Sequence, residues 1–550
     1  MRELRKTFWW LLLAALVLVA CGKAPEAEKA AALTAPQNVK LHSATETTLT
    51  FQWDAVEGAD AYAWKLSGTD VLSGGTKTRN VTIDKLTPGT TYSFSVCAKR
   101  DTQESAWSEA VEAATAGSRP VPGKNCVDAP LVVEVGSGAS LGTSGLVQVF
   151  KADGTLVDKI DLSDIAKVHV LEDGTMVPKD KSANAHTFMD RLHSGSSTRL
   201  VHYTPLRLEG GKLYIKLHDG VLDFGGSYYL TVDASVAGKA VEKDDMPFTT
   251  KAAPAGTSLH VSADGSGDFC TLQGALNHAV SLGKDTPVTI EVGEGSYREL
   301  LYLRDKNNLT VKGVSREKSI IVYPNSELYA EGTSARCLWL IESCDQLVLE
   351  NLTVENSFSS ADHKGQAETL YFNSSHRLTI GNCALISWQD TFLCKGQVWV
   401  HDSLIAGHCD YIWGYPTVCL FEDCEIRSRA AGYIVQARVP SASDKGFVFL
   451  NCKLTAESGV KDGSMYLARS AGQSDCFDNV TYVNCEMSAV IRPEGWLGSP
   501  VPQPATPTAT SGWKEYGTTG VSTVSRNAYG KLLTASEVSA FDSRTAVLGW

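Results

Sequence analysis

Two aspartates, Asp390 and Asp410, occupy equivalent places in two short segments of similar pattern. Asp390 lies eight residues after Asn382, and Asp410 lies eight residues after Asp402. If these segments are successive turns of one repeat, the equal offsets bring the carboxylates side by side, because neighbouring parallel strands are about 4.8 Å apart. Such a pair suits acid and base chemistry, since two close carboxylates push their pKa values apart. Solvated strand-end aspartates in accidental register are the alternative, because aspartate is common in turns.

The elements that must position this pair recur six times between residues 347 and 485. Each copy is an alternating apolar strand, then Asn or Asp, then a small or apolar residue. The Asn/Asp position recurs at Asn351, Asn382, Asp402, Asp423, Asn451 and Asn484, with spacings of 31, 20, 21, 28 and 33 residues. A constant strand pattern with variable spacing is typical of a solenoid with loops inserted at one corner. We predict a right-handed parallel β-helix, with each Asn or Asp at a turn and the adjacent cysteines inside the coil.

The residues that surround the two aspartates form recognisable motifs. Asp390 stands in Trp388-Gln389-Asp390-Thr391-Phe392, and Asp410 begins Asp410-Tyr411-Ile412-Trp413-Gly414. Six further motifs occur in order, at residues 264–269, 295–299, 365–367, 467–469, 495–496 and 514–517. Over residues 258–550 the chain resembles the pectin methylesterases, carbohydrate esterases that hydrolyse the methyl ester of galacturonate in pectin.

This resemblance implies one residue for each role in ester hydrolysis through a covalent intermediate. Asp410 would be the nucleophile, and Asp390 would protonate the departing methoxide and then activate water. Gln366 and Gln389 would donate hydrogen bonds to the oxyanion, and Arg469 would hold Asp410 as a carboxylate. The implied substrate is the homogalacturonan of pectin, and neither a metal nor another cofactor is expected.

Aromatic side chains near these motifs are candidates for stacking against sugar rings. We predict this role for Trp413 and Trp496. His401 and His408 are predicted to be structural, because neither has a serine or cysteine partner in a triad arrangement. Arg469 is followed by Ser470, where the family usually has proline and tryptophan, so a tryptophan that lines the sugar subsite is absent. This difference bears on which polysaccharide is preferred.

Two other functions remain open from the sequence. Paired aspartates can hold Ca²⁺ or activate water, as in a β-helix lyase or hydrolase of the polygalacturonate chain. A non-catalytic, glycan-binding surface lipoprotein that kept the fold is the other alternative. Two glutamines beside the carboxylates favour the esterase, because amide donors suit an oxyanion better than a cation.

Two β-sandwich domains are predicted before the β-helix, which makes the chain all-β. Residues 35–117 resemble a fibronectin type III domain, with Trp53 in its core and Tyr92 as its tyrosine-corner residue. Residues 127–251 again contain short strand-like runs and predict an Ig-like sandwich. We expect the fibronectin type III-like domain to act as a spacer and the protein to be a monomer. The two sandwiches together fit an enzyme that is held off a membrane surface.

The N-terminus predicts export. Residues 1–20 place Arg2, Arg5 and Lys6 before an apolar run of thirteen residues, Phe8–Ala20, which is typical of a signal peptide and too short to span a bilayer. The run ends in a sequence that resembles a bacterial lipobox. It implies acylation of Cys21, a tether over residues 21–34, and an exported lipoprotein anchored at the outer membrane on its periplasmic or cell-surface face. An ordinary secretory signal is the alternative.

Composition argues against several classes of function. The 550 residues include 50 basic and 62 acidic side chains, for a net charge of −12, so the basic surface of a nucleic-acid binder is missing. Without Cys21 thirteen cysteines remain, an odd number with no Cys-x-x-Cys pair, which indicates neither a disulfide framework nor a zinc site. We predict that most are small buried hydrophobic residues.

Overall fold

The first domain is a β-sandwich around an aromatic core. The computed structural model describes residues 32–44, 48–68, 71–86, 91–115, 124–181, 188–359, 365–500 and 507–550. One antiparallel sheet contains β1, β2 and β5, and the other contains β3, β4, β6, β7 and β8, where the strands are β1 (Lys40–Ala44), β2 (Leu49–Gln52), β3 (Ala61–Ser67), β4 (Val71–Thr76), β5 (Asn80–Ile83), β6 (Thr91–Arg100), β7 (Gln103–Glu104) and β8 (Val111–Ala114). Phe51 and Phe94 stack with ring centres 4.0 Å apart. Trp53 and Tyr92 are buried beside them, as predicted.

In its described residues the second domain has four sheets, of which the two larger ones pack around one apolar core and the other two are two-stranded. Its elements are β9 (Lys124–Asn125), β10 (Leu131–Glu134), β11 (Leu146–Lys151), β12 (Leu156–Asp161), β13 (Val168–Val170), β14 (Met176–Pro178), β15 (Met189–Ser194), β16 (Ser197–His202), β17 (Leu206–Glu209), β18 (Lys212–Ile215), β19 (Ser227–Val232), α1 (Ala234–Ala237) and β20 (Pro247–Thr250). Strands β10, β17 and β18 form one sheet, and β9, β11, β12, β19 and β20 form the other. Strand β9 pairs in parallel with β20, so Lys124 and Asn125 also belong to this sheet. Its Ig-like topology stays a prediction.

The third domain is the parallel β-helix. Its strands are β21 (Ser258–Val261), β22 (Val288–Val292), β23 (Gly295–Tyr297), β24 (Leu301–Arg304), β25 (Leu309–Gly313), β26 (Ser319–Tyr323), β27 (Trp339–Glu342), β28 (Leu347–Glu350), β29 (Thr353–Asn356), β30 (Leu370–Asn373), β31 (Arg377–Gly381), β32 (Ala384–Ile386), β33 (Phe392–His401), β34 (Leu404–Glu422), β35 (Glu425–Ala437), β36 (Gly446–Leu450), β37 (Lys453–Ala456), β38 (Met465–Arg469), β39 (Val480–Val483), β40 (Glu486–Met487), β41 (Trp496–Leu497), β42 (Trp513–Tyr516) and β43 (Gly530–Leu532). Three helices accompany them: α2 (Leu272–Ser281), α3 (Thr333–Arg336) and α4 (Arg544–Leu548). In the regular coils each strand pairs in parallel with the strand three places later, so one coil has three strands. The predicted all-β chain with a parallel β-helix is confirmed.

The recurring Asn and Asp residues lie at left-handed turns between strands. Their φ angles are 56° (Asn351), 48° (Asn382), 51° (Asp402), 54° (Asp423), 56° (Asn451) and 52° (Asn484). Asparagine and aspartate tolerate this conformation better than other residues with a side chain. One identical turn per coil keeps the following strands in register, and the predicted turn position is confirmed.

The cysteines lie mostly inside the β-helix. The thirteen described cysteines are free thiols, and all except the partly exposed Cys409 are buried. Cys383, Cys424, Cys452 and Cys485 each follow a left-handed turn and point a thiol at backbone carbonyls of their own and the preceding coil. These cysteines act as small buried side chains, as predicted.

The second domain and the β-helix share a continuous interface. Asp128 of the second domain accepts hydrogen bonds from the Thr271 N–H (2.8 Å) and the Cys270 N–H (3.1 Å) at the start of α2. Glu299 accepts from the next two N–H groups, those of Leu272 and Gln273. Three of these donors, the N–H groups of Thr271, Leu272 and Gln273, would otherwise be unsatisfied at the helix N-terminus. The second domain therefore completes the first coils of the β-helix.

Residues 1–31, which include the predicted signal peptide and Cys21, lie outside the described part of the chain. Among the described residues, no helix has the length and apolar character needed to cross a bilayer.

Burial of Lys514 predicts a pH-dependent stability. Its side chain is 0% exposed and donates to the Gly512 carbonyl (2.7 Å), and burial lowers its pKa to about 7. Below pH 7 Lys514 is charged in both the folded and the unfolded chain, and the full cost of burying its charge lowers the stability. Between pH 7 and about 10.4 the unfolded chain binds more protons than the folded chain, so the free energy of unfolding rises with pH. We expect this rise in urea unfolding of the wild type relative to Lys514→Met. A constant difference between the two proteins from pH 6 to 9.5 would contradict it.

Candidate active site

Asp390 and Asp410 lie in adjacent coils. Gln366, Gln389 and Cys409 pair in parallel, one above the other, in three successive coils. Asp390 and Asp410 directly follow the last two of these, and the Asp390 N–H donates to the Cys409 carbonyl (3.0 Å). The two carboxylates therefore come from equivalent positions of coils that are about 4.8 Å apart. The juxtaposition predicted from the equal offsets is confirmed.

Both aspartates have the left-handed backbone conformation, with φ of 65° at Asp390 and 48° at Asp410. This conformation is uncommon for residues other than glycine, although aspartate is among those that adopt it most readily. Their side chains are nearly fully buried. Unusual backbone geometry at buried charged residues is common at functional sites, because the surrounding structure must hold it in place.

Asp410 is held by an arginine and a glutamine. Arg469 donates to both carboxylate oxygens, through Nε to Oδ1 at 2.8 Å and through Nη2 to Oδ2. Gln436 donates from Nε2 to Oδ2 at 3.0 Å, and its own Oε1 accepts from Arg438 Nη2 at 2.7 Å. Because Arg438 fixes the amide oxygen, the amide nitrogen of Gln436 must face Asp410. Arg469 and Asp410 therefore form a bidentate, charge-assisted pair.

Asp390 has a similar pair of neighbours in a different arrangement. Gln366 donates from Nε2 to Asp390 Oδ2 at 2.8 Å, and Arg336 Nη1 donates to Gln366 Oε1 at 2.9 Å. Arg336 Nη2 lies 3.5 Å from Asp390 Oδ2, so its contact with the carboxylate is weak. The other oxygen, Oδ1, accepts no hydrogen bond from a described residue and is the place for a proton.

Arg336 is committed to another carboxylate, that of Glu368. Arg336 Nε donates to Glu368 Oε2 (2.8 Å), and Nη2 donates to Glu368 Oε1 (2.7 Å). Glu368 is completely buried, and Glu327 accepts a third bond from Arg336, at 2.8 Å. Burial raises the pKa of Asp390 well above its usual value, and the charges of Glu368 and Asp410 raise it further. Asp390 therefore keeps a proton while Asp410 is paired with arginine.

The two predicted oxyanion donors differ in what they contact. In the described part of the chain, the side-chain amide of Gln389 has no hydrogen-bond partner, and both of its N–H groups are free for a ligand. Gln366 uses one N–H for Asp390 and keeps the other. Both side chains are partly exposed. The pair can offer hydrogen bonds to a negatively charged oxygen placed between the coils.

Cys409 completes this column but is not a candidate nucleophile. Burial raises the pKa of its thiol to about 12, and the negative charges of Asp410 and Asp390 act in the same direction. A thiol is nucleophilic only as thiolate, so Cys409 stays unreactive near neutral pH.

The two tryptophans predicted to bind sugar are both buried. Trp496 is 1% exposed and stacks on Trp513 with ring centres 5.3 Å apart, so it belongs to the core and its predicted sugar-stacking role is wrong. Trp413 is 6% exposed, and the Arg438 guanidinium lies 4.9 Å from its ring centre. Its role in substrate binding stays a prediction.

Two tyrosines that border Arg469 are more accessible. Tyr433 and Tyr466 are partly exposed and stack with ring centres 5.8 Å apart, and the Arg469 guanidinium lies 5.0 Å from the Tyr433 ring. These two rings, rather than Trp496, present aromatic surface beside the carboxylate pair.

The histidines flank the site without joining it. His401 stacks on Trp399 with ring centres 4.1 Å apart, and its Nδ1 lies 2.8 Å from an Asp402 oxygen. His408 packs edge-on against Trp388. Their contacts fit the predicted structural roles.

The sequence analysis missed two residues that contact the aspartates, Arg336 and Gln436, and the buried partner of Arg336, Glu368. A signal for Glu368 was present, because a charged residue followed by the apolar run Leu370–Phe372 needs a buried partner. Nothing local identifies Arg336, which lies 54 residues before Asp390. Gln436 occupies the strand position beside Trp413 in the next coil and follows from the register once the strands are aligned.

One cluster of potential metal ligands lies far from this site in the sequence. Cys126, Asp128 and Cys270 bring their ligand atoms within 4.8 Å of one another at the domain interface. Asp128 already uses both oxygens to accept backbone N–H groups of α2. The two thiols alone are too few for a closed structural metal site.

Comparison with known proteins identifies the family of this chain. Residues 258–544 match the family model described as Pectinesterase. Pectinesterase 31 of Arabidopsis thaliana is 34% identical over 251 residues, which cover 43% of this chain and 76% of that protein. The chain belongs to the pectinesterase family. It is an enzyme of the pectinesterase class, and its fibronectin type III domain is confirmed by a model match at residues 34–114.

Two further matches to pectinesterases cover a similar share of this chain. Probable pectinesterase A of Aspergillus niger is 29% identical over 273 residues, covering 48% of this chain and 79% of that protein. The crystal structure of the pectin methylesterase from Aspergillus niger is 27% identical, with a TM-score of 0.45, and the match covers 54% of this chain and 95% of that chain.

The buried Arg336–Glu368 pair predicts a large effect on the stability of this pectinesterase. Arg336→Met leaves Glu368 buried without its partner, which we expect to cost about 3–5 kcal/mol in urea unfolding. The matched control is Arg427→Met, because Arg427 forms a similar two-bond pair with Glu425 in which both side chains are about one-third exposed. Such a pair contributes about 0–1 kcal/mol. Equal losses in the two variants would show that burial does not decide the effect.

Proposed function

We propose that this pectinesterase hydrolyses galacturonate methyl esters in pectin, with Asp410 as the nucleophile and Asp390 as the acid and base. The observation that carries the proposal is the contrast between two adjacent buried carboxylates. Asp410 is paired with Arg469, and Asp390 has a pKa raised by burial and by its acidic neighbours. Equivalent positions in two successive coils therefore supply a nucleophile and a proton donor.

The first half of the reaction forms a covalent intermediate. An oxygen of Asp410 attacks the ester carbonyl carbon, and the carbonyl oxygen becomes an oxyanion that accepts hydrogen bonds from Gln389 and from the free N–H of Gln366. The C–O bond to the methoxy group then breaks. Asp390 transfers its proton to the departing oxygen, so methanol leaves and an acyl anhydride joins Asp410 to the galacturonate.

The second half restores the enzyme. Asp390, now a carboxylate, takes a proton from water, and the resulting hydroxide attacks the acyl carbon. The bond to Asp410 breaks, so the galacturonate leaves with a free carboxyl group. Asp410 returns to its pair with Arg469, and Asp390 is again protonated.

The geometry argues against a lyase or hydrolase that holds Ca²⁺ between the aspartates. Arg469 lies against both oxygens of Asp410 and already neutralises it. The Arg469 guanidinium would repel a cation bound between the aspartates. Gln436 also presents an N–H donor to Asp410 rather than an oxygen that could bind a cation. Non-catalytic glycan binding would leave the free amide of Gln389 and the proton of Asp390 without a use.

Methanol release from methylated pectin tests the proposal. We expect the wild type to release methanol and Asp410→Asn to lose activity, because an amide is a poor nucleophile. Gln389→Ala should lose about 10²–10³-fold in kcat, as expected for loss of one oxyanion donor. The control is Asp402→Asn, which makes the same change at an exposed turn where Asn382 occupies the equivalent place in the preceding coil.

Three outcomes would contradict the proposal. If Asp410→Asn releases methanol at the wild-type rate, Asp410 is not the nucleophile. Loss of viscosity with an unsaturated product, and without methanol, would instead identify cleavage of the polymer chain. Retention on a pectin column without methanol release would identify a glycan-binding protein.

We propose that the protein is an exported lipoprotein anchored through Cys21. The support is the sequence alone: a basic start, a short apolar run, and small residues before the cysteine. An acyl chain on Cys21 would add one anchoring signal. We expect wild type expressed in a bacterium to incorporate labelled palmitate and fractionate with membranes, whereas Cys21→Ser does neither. Equal labelling of the two proteins would exclude Cys21 as the site of acylation.

A further inference from the structure

The second β-sandwich domain inserts one arginine into the β-helix. Arg199 lies on β16 and is 5% exposed. Its Nη1 donates to the backbone carbonyls of Leu301 (2.7 Å) and Leu338 (3.1 Å). A buried guanidinium needs such acceptors, because an unsatisfied charged donor is costly away from water. Arg199 therefore forms a buried, hydrogen-bonded contact between the second domain and the β-helix.

The other amino group of Arg199 contacts the segment that carries Arg336. Its Nη2 donates to the carbonyl of Ala335 at 3.1 Å and to the carbonyl of Cys337, the residues on either side of Arg336. Asn325 of the β-helix donates to the same two carbonyls, at 2.9 and 3.2 Å. The backbone of Arg336 is thus held from the β-helix on one side and from the second domain on the other.

A second contact links the same domain to the side chain of Arg336. Lys181 Nζ lies 3.4 Å from Glu327 Oε1, and Glu327 Oε2 accepts from Arg336 Nη1 at 2.8 Å. The same Nη1 donates to Gln366, whose amide contacts Asp390. Lys181 and Arg199 therefore reach the Arg336 segment at two separate points.

We propose that Arg199 is a positioning residue for ester hydrolysis, and that the second domain is part of the catalytic unit rather than a spacer. By fixing the carbonyls of Ala335 and Cys337, Arg199 aims Arg336 at Gln366 and Asp390. This inference rests on the function proposed for Asp390. A shift of about 1 Å in such a support can lower a reaction rate by up to about 10²-fold.

The charges around Asp390 determine how the pH profile responds. Arg336 is the positive group that packs against Asp390, and the negative groups are Glu368 in the preceding coil and Asp410 in the next coil, with the neutral thiol of Cys409 beside them. If Arg336 moves away, the negative groups remain, and Asp390 holds its proton more strongly. Because Asp390 must be protonated when methoxide leaves, the alkaline limb of the kcat profile moves to higher pH.

The experiment compares Arg199→Met with Ser194→Ala in the full chain. Ser194 lies on the same hairpin and at the same interface, where its hydroxyl bonds the N–H and the carbonyl of Arg304 (both 2.7 Å), away from the Arg336 segment. We expect Arg199→Met to lower kcat for methanol release about tenfold, leave KM almost unchanged and shift the alkaline limb upward. Arg199→Lys should recover part of kcat, and Ser194→Ala should keep the wild-type profile.

Each outcome separates this inference from the proposed function. A wild type that releases no methanol overturns both. An active wild type for which Arg199→Met and Ser194→Ala have the same kcat and the same alkaline limb overturns the positioning role alone. If Arg199→Met does not fold, Lys181→Met is the test, because Lys181 is partly exposed and reaches Arg336 through Glu327. An unchanged alkaline limb in a folded Lys181→Met then overturns the inference.

Discussion

The stacking register of the coils is the constraint on which the active site depends. Gln366, Gln389 and Cys409 lie directly above one another, and the residues that follow them inherit this alignment. A slip of one residue would turn one aspartate into the core, because successive side chains of a strand point to opposite faces. The left-handed Asn and Asp turns of each coil hold the register, and so they hold the chemistry as well.

Within this register the two aspartates have matching supports with opposite consequences. Each receives a glutamine amide whose oxygen is fixed by an arginine: Arg438 acts on Gln436, and Arg336 acts on Gln366. Asp410 has a second arginine for itself, Arg469. Beside Asp390, by contrast, Arg336 is paired with the buried Glu368. The difference in charge between two similar environments is what separates the proposed nucleophile, Asp410, from the proposed acid, Asp390.

The second domain also contributes to this environment. Asp128 completes the start of α2, the hairpin β15–β16 places Leu192 and Val201 in the β-helix core, and Arg199 holds the backbone beside Arg336. These contacts make the second sandwich an integral neighbour of the catalytic domain. The first sandwich has its own aromatic core.

The sequence by itself determined the β-helix, its turns, its buried cysteines and the pairing of Asp390 with Asp410, because each follows from a local pattern repeated at a countable offset. Only the tertiary structure decided which groups surround that pair. Arg336 reaches Asp390, and Arg199 reaches the Arg336 segment, across long stretches of chain, and no local spacing encodes such contacts. The same reason explains why the burial of Trp496 was not predicted. Its motif was visible in the sequence, but the stacking on Trp513 that buries it is a tertiary contact.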